Sequence, residues 1–318
     1  MRFIPLSLLL CGSCWAFSVS AADSAQDWLQ RLGEAERSQS FQGTFVYERN
    51  GSFSTHSIWH RVEQDGAVRE RLLQLDGPAQ EVLRVNGRAE CVSGALADQV
   101  AGNQAWPARE LDVEQLQQWY ELRLAGESRV ADRAAVVLLL VPRDQHRYGV
   151  ELHLDRDSGL PLKTLLLNDK GQLLERFQFT RLDTASPPAD DSLQPSADCQ
   201  SVRLAEAKAP AAGAWRADWL PPGFTLSSAS QRRSPVSDEA VSCLVYDDGV
   251  ARFSVFLEPL HGAAVGDARS QLGPTVAVSR RMATDDGDMM VTVVGEIPLG
   301  TAERVALSMR ASEAQVAP

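Results

Sequence analysis

Residues 41–92, FQGTFVYERNGSFSTHSIWHRVEQDGAVRERLLQLDGPAQEVLRVNGRAECV, decide the fold of the N-terminal half of this chain. They contain four Asx-Gly pairs, which begin at Asn50, Asp65, Asp76 and Asn86. Such pairs supply the positive φ angles that tight hairpin turns require. The segments between them are rich in aromatic, aliphatic and β-branched residues, as strands are. The stretch therefore predicts an antiparallel meander of short strands.

The same pattern resumes after an irregular segment, residues 94–107. Further strands are predicted at 121–127, 134–141, 147–154, 161–167 and 172–182. Apolar residues alternate with polar ones in 147–154, which is typical of a sheet with one buried face. Two amphipathic helices, at 25–39 and just after Asp112, could cover that face. We therefore predict a mainly β, α+β fold: one large, curved antiparallel sheet with covering helices.

A second unit follows a segment rich in Ala, Pro, Ser and Asp, which is typical of a linker. The predicted strands of this unit are 241–246, 251–257, 275–282 and 289–295, with a short helix at 265–272 and a closing helix at 301–309. The predicted division of the chain is 1–22 signal peptide, 23–185 first domain, 186–213 linker, 214–310 smaller C-terminal α/β domain and 311–318 tail.

The first 22 residues predict a secretory signal peptide. Arg2 supplies a positive charge, residues 3–17 are almost all apolar, and small residues precede Asp23. The segment is too short to anchor the chain in a membrane, and cleavage near Ala21 or Ala22 fits the preference for small residues. Lipidation of a cysteine is the alternative, but neither cysteine of this segment has a suitable sequence around it. We expect an exported protein.

The net charge of the chain limits the kinds of partner that it can bind. The 318 residues carry a net charge of −11. An acidic surface repels nucleic acid and anionic membranes, so we expect no nucleic-acid partner. The expected partners are proteins, or molecules bound at a local patch.

Three cysteines, Cys91, Cys199 and Cys243, remain once the signal peptide is removed. In an oxidising compartment, one disulfide and one thiol is the simplest arrangement. Because Cys199 lies in the linker, we expect it to be joined to the following domain as a Cys199–Cys243 disulfide. Three separate buried thiols are the alternative.

The sequence offers no catalytic signature. It contains no phosphate-binding glycine loop, dinucleotide fingerprint, serine elbow or zincin motif. His56 and His60 are the nearest metal candidates, but a strand would separate them by ~13 Å, too far to share one ion. We therefore predict a protein that is not an enzyme and has no catalytic residues, metal or cofactor.

A curved sheet with an apolar face must pack that face or bind something on it. A lipid cavity under movable helices is one interpretation, and a fully packed core is the other. The side chains predicted to bind lipid are Trp59, Trp119, Tyr148, Leu152, Phe177 and Phe179. Those predicted to bind a protein partner are Trp219, Arg232, Arg233, Phe253 and Val255. Basic residues also occur on ordinary solvated faces, so the arginines have that alternative.

Seven short motifs, in one order, resemble the RseB/MucB family. They are residues 75–78 (LDGP) with 81–82 (EV), 147–148 (RY), 154–162 (LDRDSGLPL), 174–177 (LERF), 219–224 (WLPPGF), 248–249 (DG) before 253–255 (FSV), and 293–298 (VVGEIP). Each is weak alone, but their order behind a signal peptide is specific. The similarity is greatest to the MucB branch.

The resemblance implies a periplasmic negative regulator of an envelope-stress sigma factor. Such a protein binds the periplasmic part of a membrane-spanning anti-sigma factor (RseA or MucA), shields it from the site-1 protease and releases it in response to lipopolysaccharide or lipid. In the MucB branch the output includes alginate production. The implied fold is an unclosed, lipoprotein-carrier-like β half-barrel with a smaller α/β domain, often as a homodimer. A lipid or lipoprotein carrier is the alternative function.

Overall fold

The computed structural model describes residues 24–94, 113–202, 215–234, 240–285 and 287–312, without the side chains of Arg233 and Ala240. The predicted signal peptide and the last six residues lie outside this part of the chain. Among the described helices, none has both the length and the apolar character needed to cross a membrane.

Eleven strands form one antiparallel sheet in the N-terminal half. They are β1 (Phe41–Arg49), β2 (Ser52–Val62), β3 (Val68–Gln74), β4 (Glu81–Val85), β5 (Arg88–Val92), β6 (Tyr120–Val130), β7 (Arg133–Pro142), β8 (Gly149–Asp155), β9 (Pro161–Leu167), β10 (Leu173–Asp183) and β11 (Gln200–Ser201). The strand order is β11-β5-β4-β3-β2-β1-β10-β9-β8-β7-β6. The two edge strands, β11 and β6, do not pair, so the sheet is unclosed, as predicted.

The Asx-Gly turns form as the sequence predicts. Asn50 and Gly51, between β1 and β2, have φ values of 52° and 72°. Asn86 and Gly87, between β4 and β5, have φ values of 50° and 74°. Two consecutive positive φ angles define the type I′ turn, whose twist matches that of the flanking strands. These turns fix the register of the meander.

Helix α1 (Ala25–Ser38) covers half of the inner face of the sheet. Ser24 caps it: the Ser24 hydroxyl accepts a hydrogen bond from the Asp27 N–H, and the Asp27 carboxylate accepts one from the Ser24 N–H. These two bonds satisfy N–H groups that a helix start leaves unpaired. The buried stripe Trp28, Leu29 and Leu32 packs with helix α2 (Val113–Trp119) onto β6, β7 and β8. The predicted covering helices are confirmed.

The C-terminal half forms a second, smaller domain. Its elements are β12 (Trp215–Ala217), β13 (Thr225–Arg233), β14 (Ala240–Asp247), β15 (Arg252–Pro259), β16 (Ala268–Leu272), β17 (Thr275–Thr284), β18 (Gly287–Gly295), α3 (Leu299–Ser308) and β19 (Met309–Ala311). Six strands form an antiparallel sheet in the order β13-β14-β15-β18-β17-β16, and β12 pairs with β19. Helix α3 packs on this sheet through Ala302, Val305 and Ala306.

One predicted helix of this domain, 265–272, is wrong. Residues 268–272 form the edge strand β16, which pairs with β17 around Gly273. Gly273 has a φ of +60°, in the region that glycine adopts without strain. All five residues of β16 are exposed. Because these side chains are not buried, the segment has little of the apolar periodicity that would distinguish a strand from a helix.

The predicted Cys199–Cys243 disulfide is also wrong, because Cys199 is bonded to Cys91 with their Cα atoms 5.5 Å apart. Strand β11 pairs with β5, and this pairing brings the two cysteines together. Cys243 is a fully buried free thiol in β14, and burial raises its pKa. The predicted linker is thus bonded at Cys199 to the preceding sheet rather than to the following domain.

Residues 184–202 lie along the outer face of the first sheet. Within them a 3₁₀ turn (Asp190–Leu193) places Leu193 in a fully buried position. Arg71 donates hydrogen bonds to the Glu81 carboxylate and to the Ser192 carbonyl. Glu81 also accepts a hydrogen bond from the Ser196 N–H. The polar composition of this segment did not reveal these contacts.

Candidate functional site

A buried ion pair joins the two domains. The Arg147 guanidinium, just before β8, donates a hydrogen bond of 2.7 Å to Asp248, in the turn between β14 and β15. Both side chains have 0% exposure. Arg147 also donates to Asp144 and to the Pro222 carbonyl. Breaking a buried pair leaves an uncompensated charge, so this contact fixes the junction strongly.

Aromatic rings enclose the Arg147 guanidinium. Its central carbon lies 5.7 Å from the Trp119 ring centroid, 5.5 Å from that of Tyr120 and 5.2 Å from that of Phe224. Cation–π attraction is stronger in a desolvated site such as this one. Within the described residues, the Tyr120 hydroxyl and the Trp119 Nε1 are buried without a hydrogen-bond partner. The junction therefore surrounds one buried cation with aromatic rings.

At Gly223 the second domain approaches helix α2 closely. A Cβ atom added to this glycine would lie 2.2 Å from Trp119 Nε1 and 2.4 Å from its Cε2. Its φ is +85°, which also favours glycine. The turn of the WLPPGF motif therefore lies directly against helix α2.

Two further hydrogen bonds complete this junction. The Tyr148 hydroxyl donates to the Ile297 carbonyl over 3.1 Å. Burial raises the pKa of Tyr148 to about 12. His146 Nδ1 lies 3.1 Å from the Thr301 hydroxyl at the start of α3. Burial lowers the pKa of His146, so the ring is neutral at pH 7.

The domains meet again at the tips of two hairpins of the first sheet. Arg49, at the end of β1, donates hydrogen bonds to Thr275 and, over 3.0 Å, to Glu296. Gly273 packs between Arg49 and the Leu174 carbonyl. This second contact lies at the opposite end of β10 from the linker.

The half of the inner face beyond α1 carries an aromatic cluster. Phe45 lies 4.6 Å from Phe177 and 5.9 Å from Phe179, measured between ring centroids. Next to these rings, Tyr47, Ile58 and other apolar side chains are only partly buried. Ala35, near the end of α1, belongs to this cluster, so the helix contributes to its packing while these side chains stay partly exposed.

Three charged or titratable groups lie within this apolar surface: His60 and Arg84 are buried, and Glu70 is partly buried. Glu70 accepts a hydrogen bond of 2.5 Å from Arg84, and its other oxygen lies 3.4 Å from His60 Nδ1. These partners lower the pKa of Glu70 against the opposing effect of burial. His60 stacks on Phe41 at 4.7 Å, and its Nε2 has no hydrogen-bond partner among the described groups. The inner face is thus amphipathic rather than uniformly apolar.

The structure does not bring the six predicted lipid-binding residues together. Phe177 and Phe179 belong to the aromatic cluster, but Phe179 is 3% exposed and part of the core. Leu152 is buried under α1. Tyr148 lies at the domain junction, as does Trp119. In this structure the side chains at these core and junction positions pack against protein neighbours, and their part in lipid binding stays a prediction.

Trp59 is a separate case, because it lies on the other face of the sheet. It pairs with Gln42 and Arg71, whereas its neighbour His60 pairs with Phe41. Directly opposed residues of an antiparallel pair point to the same side. Trp59 therefore lies with Arg71 on the outer face, against which residues 184–202 pack.

Two of the five residues predicted to bind a partner are internal. Phe253 is 1% exposed and Val255 is 0% exposed, so both are core residues of the second domain. Trp219 lies under the Arg304 guanidinium, 3.8 Å from its ring centroid. Arg232 is partly buried on β13. The side chain of Arg233 lies outside the described part of the structure.

Sequence reasoning missed the junction residues. Alternation placed Arg147 on the solvent face of its strand, but its partner Asp248 is 101 residues away in the chain. The signal that could have identified them is the resemblance itself. The RY, WLPPGF and VVGEIP motifs all contribute atoms to the junction, through Arg147, Tyr148, Pro222, Gly223 and Ile297. The motifs that define the family meet at one place.

The fold and its junction define a two-domain β scaffold with an open sheet. Residues 24–197 match the model of the MucB/RseB N-terminal domain, and residues 209–310 match that of the MucB/RseB C-terminal domain. The chain belongs to the MucB/RseB family of sigma-factor regulators.

Two relatives illustrate the range of the family. The chain is 69% identical over 303 residues to the sigma factor AlgU regulatory protein MucB of Pseudomonas aeruginosa, covering 95% of this chain and 96% of that protein. It is 27% identical over 325 residues to the sigma-E factor regulatory protein RseB of Escherichia coli K12, covering 98% and 99%. Both relatives are named as regulatory proteins.

Solved structures agree with this assignment. The complex structure of Pseudomonas aeruginosa MucA/MucB gives a TM-score of 0.82 at 70% identity, covering 91% of this chain and 99% of the other. MucB in complex with MucA(peri) gives 0.80 at 68% identity, covering 92% and 100%. A crystal structure of MucB gives 0.70 at 67% identity, covering 91% and 98%.

Proposed function

We propose that this chain binds the periplasmic part of a MucA-like anti-sigma factor and thereby keeps an AlgU-type sigma factor inactive. The observation that carries the proposal is the similarity to the MucA/MucB complex, at 70% identity and a TM-score of 0.82. It implies a protein exported to the periplasm, whose signal peptide is removed near Ala21 or Ala22. The bound anti-sigma factor would be shielded from the site-1 protease.

We further propose that lipid controls this binding. The support is the partly buried part of the inner face, formed by Tyr47, Ile58, Leu72 and Phe177. To shift the partner from nearly all bound to nearly all free, lipid must favour the released state by ~5 kcal/mol. Burial of an acyl chain supplies ~0.8 kcal/mol per CH₂, so a few methylene groups suffice.

The test uses the mature chain and the periplasmic domain of Pseudomonas aeruginosa MucA. Isothermal titration calorimetry should give a saturable complex, and that complex should resist cleavage of MucA by the site-1 protease. Absence of a complex would overturn the proposed function. Addition of lipopolysaccharide should release MucA from the wild-type chain.

A matched pair of variants tests the lipid site. Leu72→Gln places an amide on the inner face and should still bind MucA but resist release by lipopolysaccharide. Leu75→Gln is the control, because Leu75 is 49% exposed in the turn after β3 and should be released normally. Equal release of both variants would remove the inner face from the mechanism.

A lipid or lipoprotein carrier is the second candidate, favoured by the same amphipathic inner face. A chain that transfers lipid between vesicles but does not bind MucA would support it. The buried Arg147–Asp248 junction favours the regulator, because a carrier that used only the first sheet would have no use for a fixed second domain.

A further inference from the structure

At the hairpin tips of the first sheet, one guanidinium lies between two carboxylates that belong to different domains. Arg49 donates a hydrogen bond of 3.0 Å to Glu296, which lies between β18 and α3 in the second domain. On the side of the first domain, Arg49 Nε lies 3.8 Å from Glu175 Oε2, on β10. We call these three side chains, Arg49, Glu175 and Glu296, the tip charge cluster.

The two domains contribute to this cluster in different ways. Arg49 and Glu175 are directly opposed on β1 and β10, so the register of the first sheet keeps them side by side. Glu296 reaches Arg49 only while the second domain is in contact with the first. The two carboxylates therefore compete for one guanidinium, and only one of the two ion pairs joins the domains.

Ionised Glu175 opposes the contact between the domains. Two carboxylates that share one guanidinium leave a surplus negative charge. Among the described groups, Glu175 Oε2 is buried without a hydrogen-bond partner, so its charge is poorly compensated. Burial and then Glu296 raise the pKa of Glu175, and Tyr47 and Arg49 only partly offset that rise. The carboxylate of the second domain thus favours proton uptake by that of the first.

The direction of the pH effect follows from this coupling. Because Glu296 favours the protonated form of Glu175, the joined domains bind this proton more tightly than the separated domains do. The contact therefore becomes more stable as pH falls through the raised pKa of Glu175, and less stable as pH rises through it. Protonated Glu175 neither repels Glu296 nor competes with it for Arg49.

The other groups that face this carboxyl group are uncharged near neutral pH. On β1, burial raises the pKa of Tyr47, so its phenol keeps its proton. On β9, the residue opposite Glu175 is Leu166. The second domain adds the hydroxyl of Thr275 on β17, which accepts a hydrogen bond from the guanidinium of the cluster. Burial raises the pKa of the nearby Tyr148 to about 12, so it is neutral as well. A pH response of this contact is therefore a response of its carboxyl groups.

We propose that Glu175 makes the contact between the two domains depend on pH. Uptake of a proton by Glu175 leaves Arg49 to Glu296 and tightens the contact at the hairpin tips, and loss of the proton loosens it. The Arg147–Asp248 pair is fully buried, so it holds the other end of the interface while the tips open and close. The proposal concerns this chain alone and does not rest on the proposed function.

Paired spin labels on the mature chain measure the contact directly. Ser52→Cys and Gln271→Cys place one label on each domain, at exposed positions beside the hairpin-tip contact. Cys243 is fully buried and the other two cysteines of the mature chain are bonded to each other, so the labels react at the new positions. Dipolar broadening of the electron paramagnetic resonance spectrum in solution reports how close the labels are. Between pH ~7.5 and pH ~5.5, just above the ordinary glutamate range, the ratio of broadened to unbroadened spectrum should rise roughly threefold or more.

Three variants in the labelled chain identify the responsible group. Glu175→Gln has the shape of the protonated side chain and does not titrate, so it should give the spectrum of the acid form at both pH values. Glu296→Gln removes the carboxylate that favours proton uptake and should lose most of the pH response. Glu127→Gln is the matched control, because Glu127 is a 67% exposed carboxylate of the first domain outside the cluster, and it should respond like the wild type. All three changes are isosteric, so we expect the variants to fold, which circular dichroism checks.

The outcomes separate this proposal from the proposed function. A wild-type spectrum that does not change with pH would overturn the role of Glu175. So would a response that persists in Glu175→Gln, because another group, such as His146 at the domain junction, would then carry it. A response lost equally in Glu127→Gln would show a general effect of charge and would also overturn the proposal. Absence of MucA binding would instead overturn the proposed function and leave the pH response of this contact as it is.

Discussion

Replacement of Gly223 by alanine should disturb the contact between the two domains. The added methyl group would lie within 2.2–2.5 Å of three atoms of the Trp119 ring. That ring cannot rotate away freely, because it is held beside Arg147 within the junction. Either the ring or the whole WLPPGF turn must move.

The expected loss of stability has two parts. Alanine at the +85° φ of Gly223 adds about 1–2 kcal/mol of backbone strain. Overpacking against a fixed ring typically adds a further ~1–3 kcal/mol. Gly87→Ala is the matched control, since Gly87 has a φ of +74° but no atom lies within 4 Å of the place its added methyl group would take. The control should therefore show the backbone part alone.

Urea denaturation of both variants measures the difference. Gly223→Ala should be less stable than Gly87→Ala by ~1–3 kcal/mol. This difference in stability should disappear when Trp119 is also replaced by alanine, because the ring that the added methyl group would contact is then absent. Small-angle scattering should also show a larger radius of gyration for Gly223→Ala than for the control. Equal stability of the two glycine variants would refute the steric account of the junction.

Three further predictions concern the Arg147–Asp248 ion pair, the Cys91–Cys199 disulfide and the pKa of Glu70. Asp248→Asn leaves the buried Arg147 with only the more exposed Asp144 carboxylate as counter-charge and should lower stability by ~3–5 kcal/mol in urea denaturation, and a loss under ~1 kcal/mol would contradict the importance of the buried pair. Joint replacement of Cys91 and Cys199 by alanine should lower stability by ~4–5 kcal/mol, and peptide mapping should recover the Cys91–Cys199 link from the wild type. Because the pKa of Glu70 is lowered in the folded state, its contribution to stability is present above its unfolded pKa and is lost as pH falls through the folded value. Glu70→Gln should flatten the acid limb of the stability–pH curve, and an unaltered limb would argue against the Arg84 contact.

Local sequence signals predicted the parts of the fold that local physics controls. Asn50-Gly51 and Asn86-Gly87 specify their turns because few other pairs tolerate two positive φ angles. The alternation in residues 148–154 identified a buried face, and Tyr148, Val150, Leu152 and Leu154 are all buried. Such features depend on neighbours within a few residues.

The features that sequence reasoning missed depend on distant neighbours. Arg147 is charged and lies in the turn just before β8, so nothing local distinguishes it from a solvated arginine. Its burial follows from Asp248 and from a turn 75 residues away. Trp59 is similarly ambiguous, because only the register of β2 with β1 decides which face it occupies. For Cys199, the deciding fact was the pairing of a two-residue strand, β11.

The Cys91–Cys199 disulfide also shortens the connection between the two domains. It holds the connector to the sheet as far as residue 202, so only residues 203–214 span the gap to Trp215. At ~3.6 Å per residue, they reach at most about 43 Å even when fully extended. If the second domain separated from the first, it would thus stay at a high local concentration near the domain junction and rebind quickly. The disulfide would thus keep the two domains together even if the Arg147–Asp248 contact were broken.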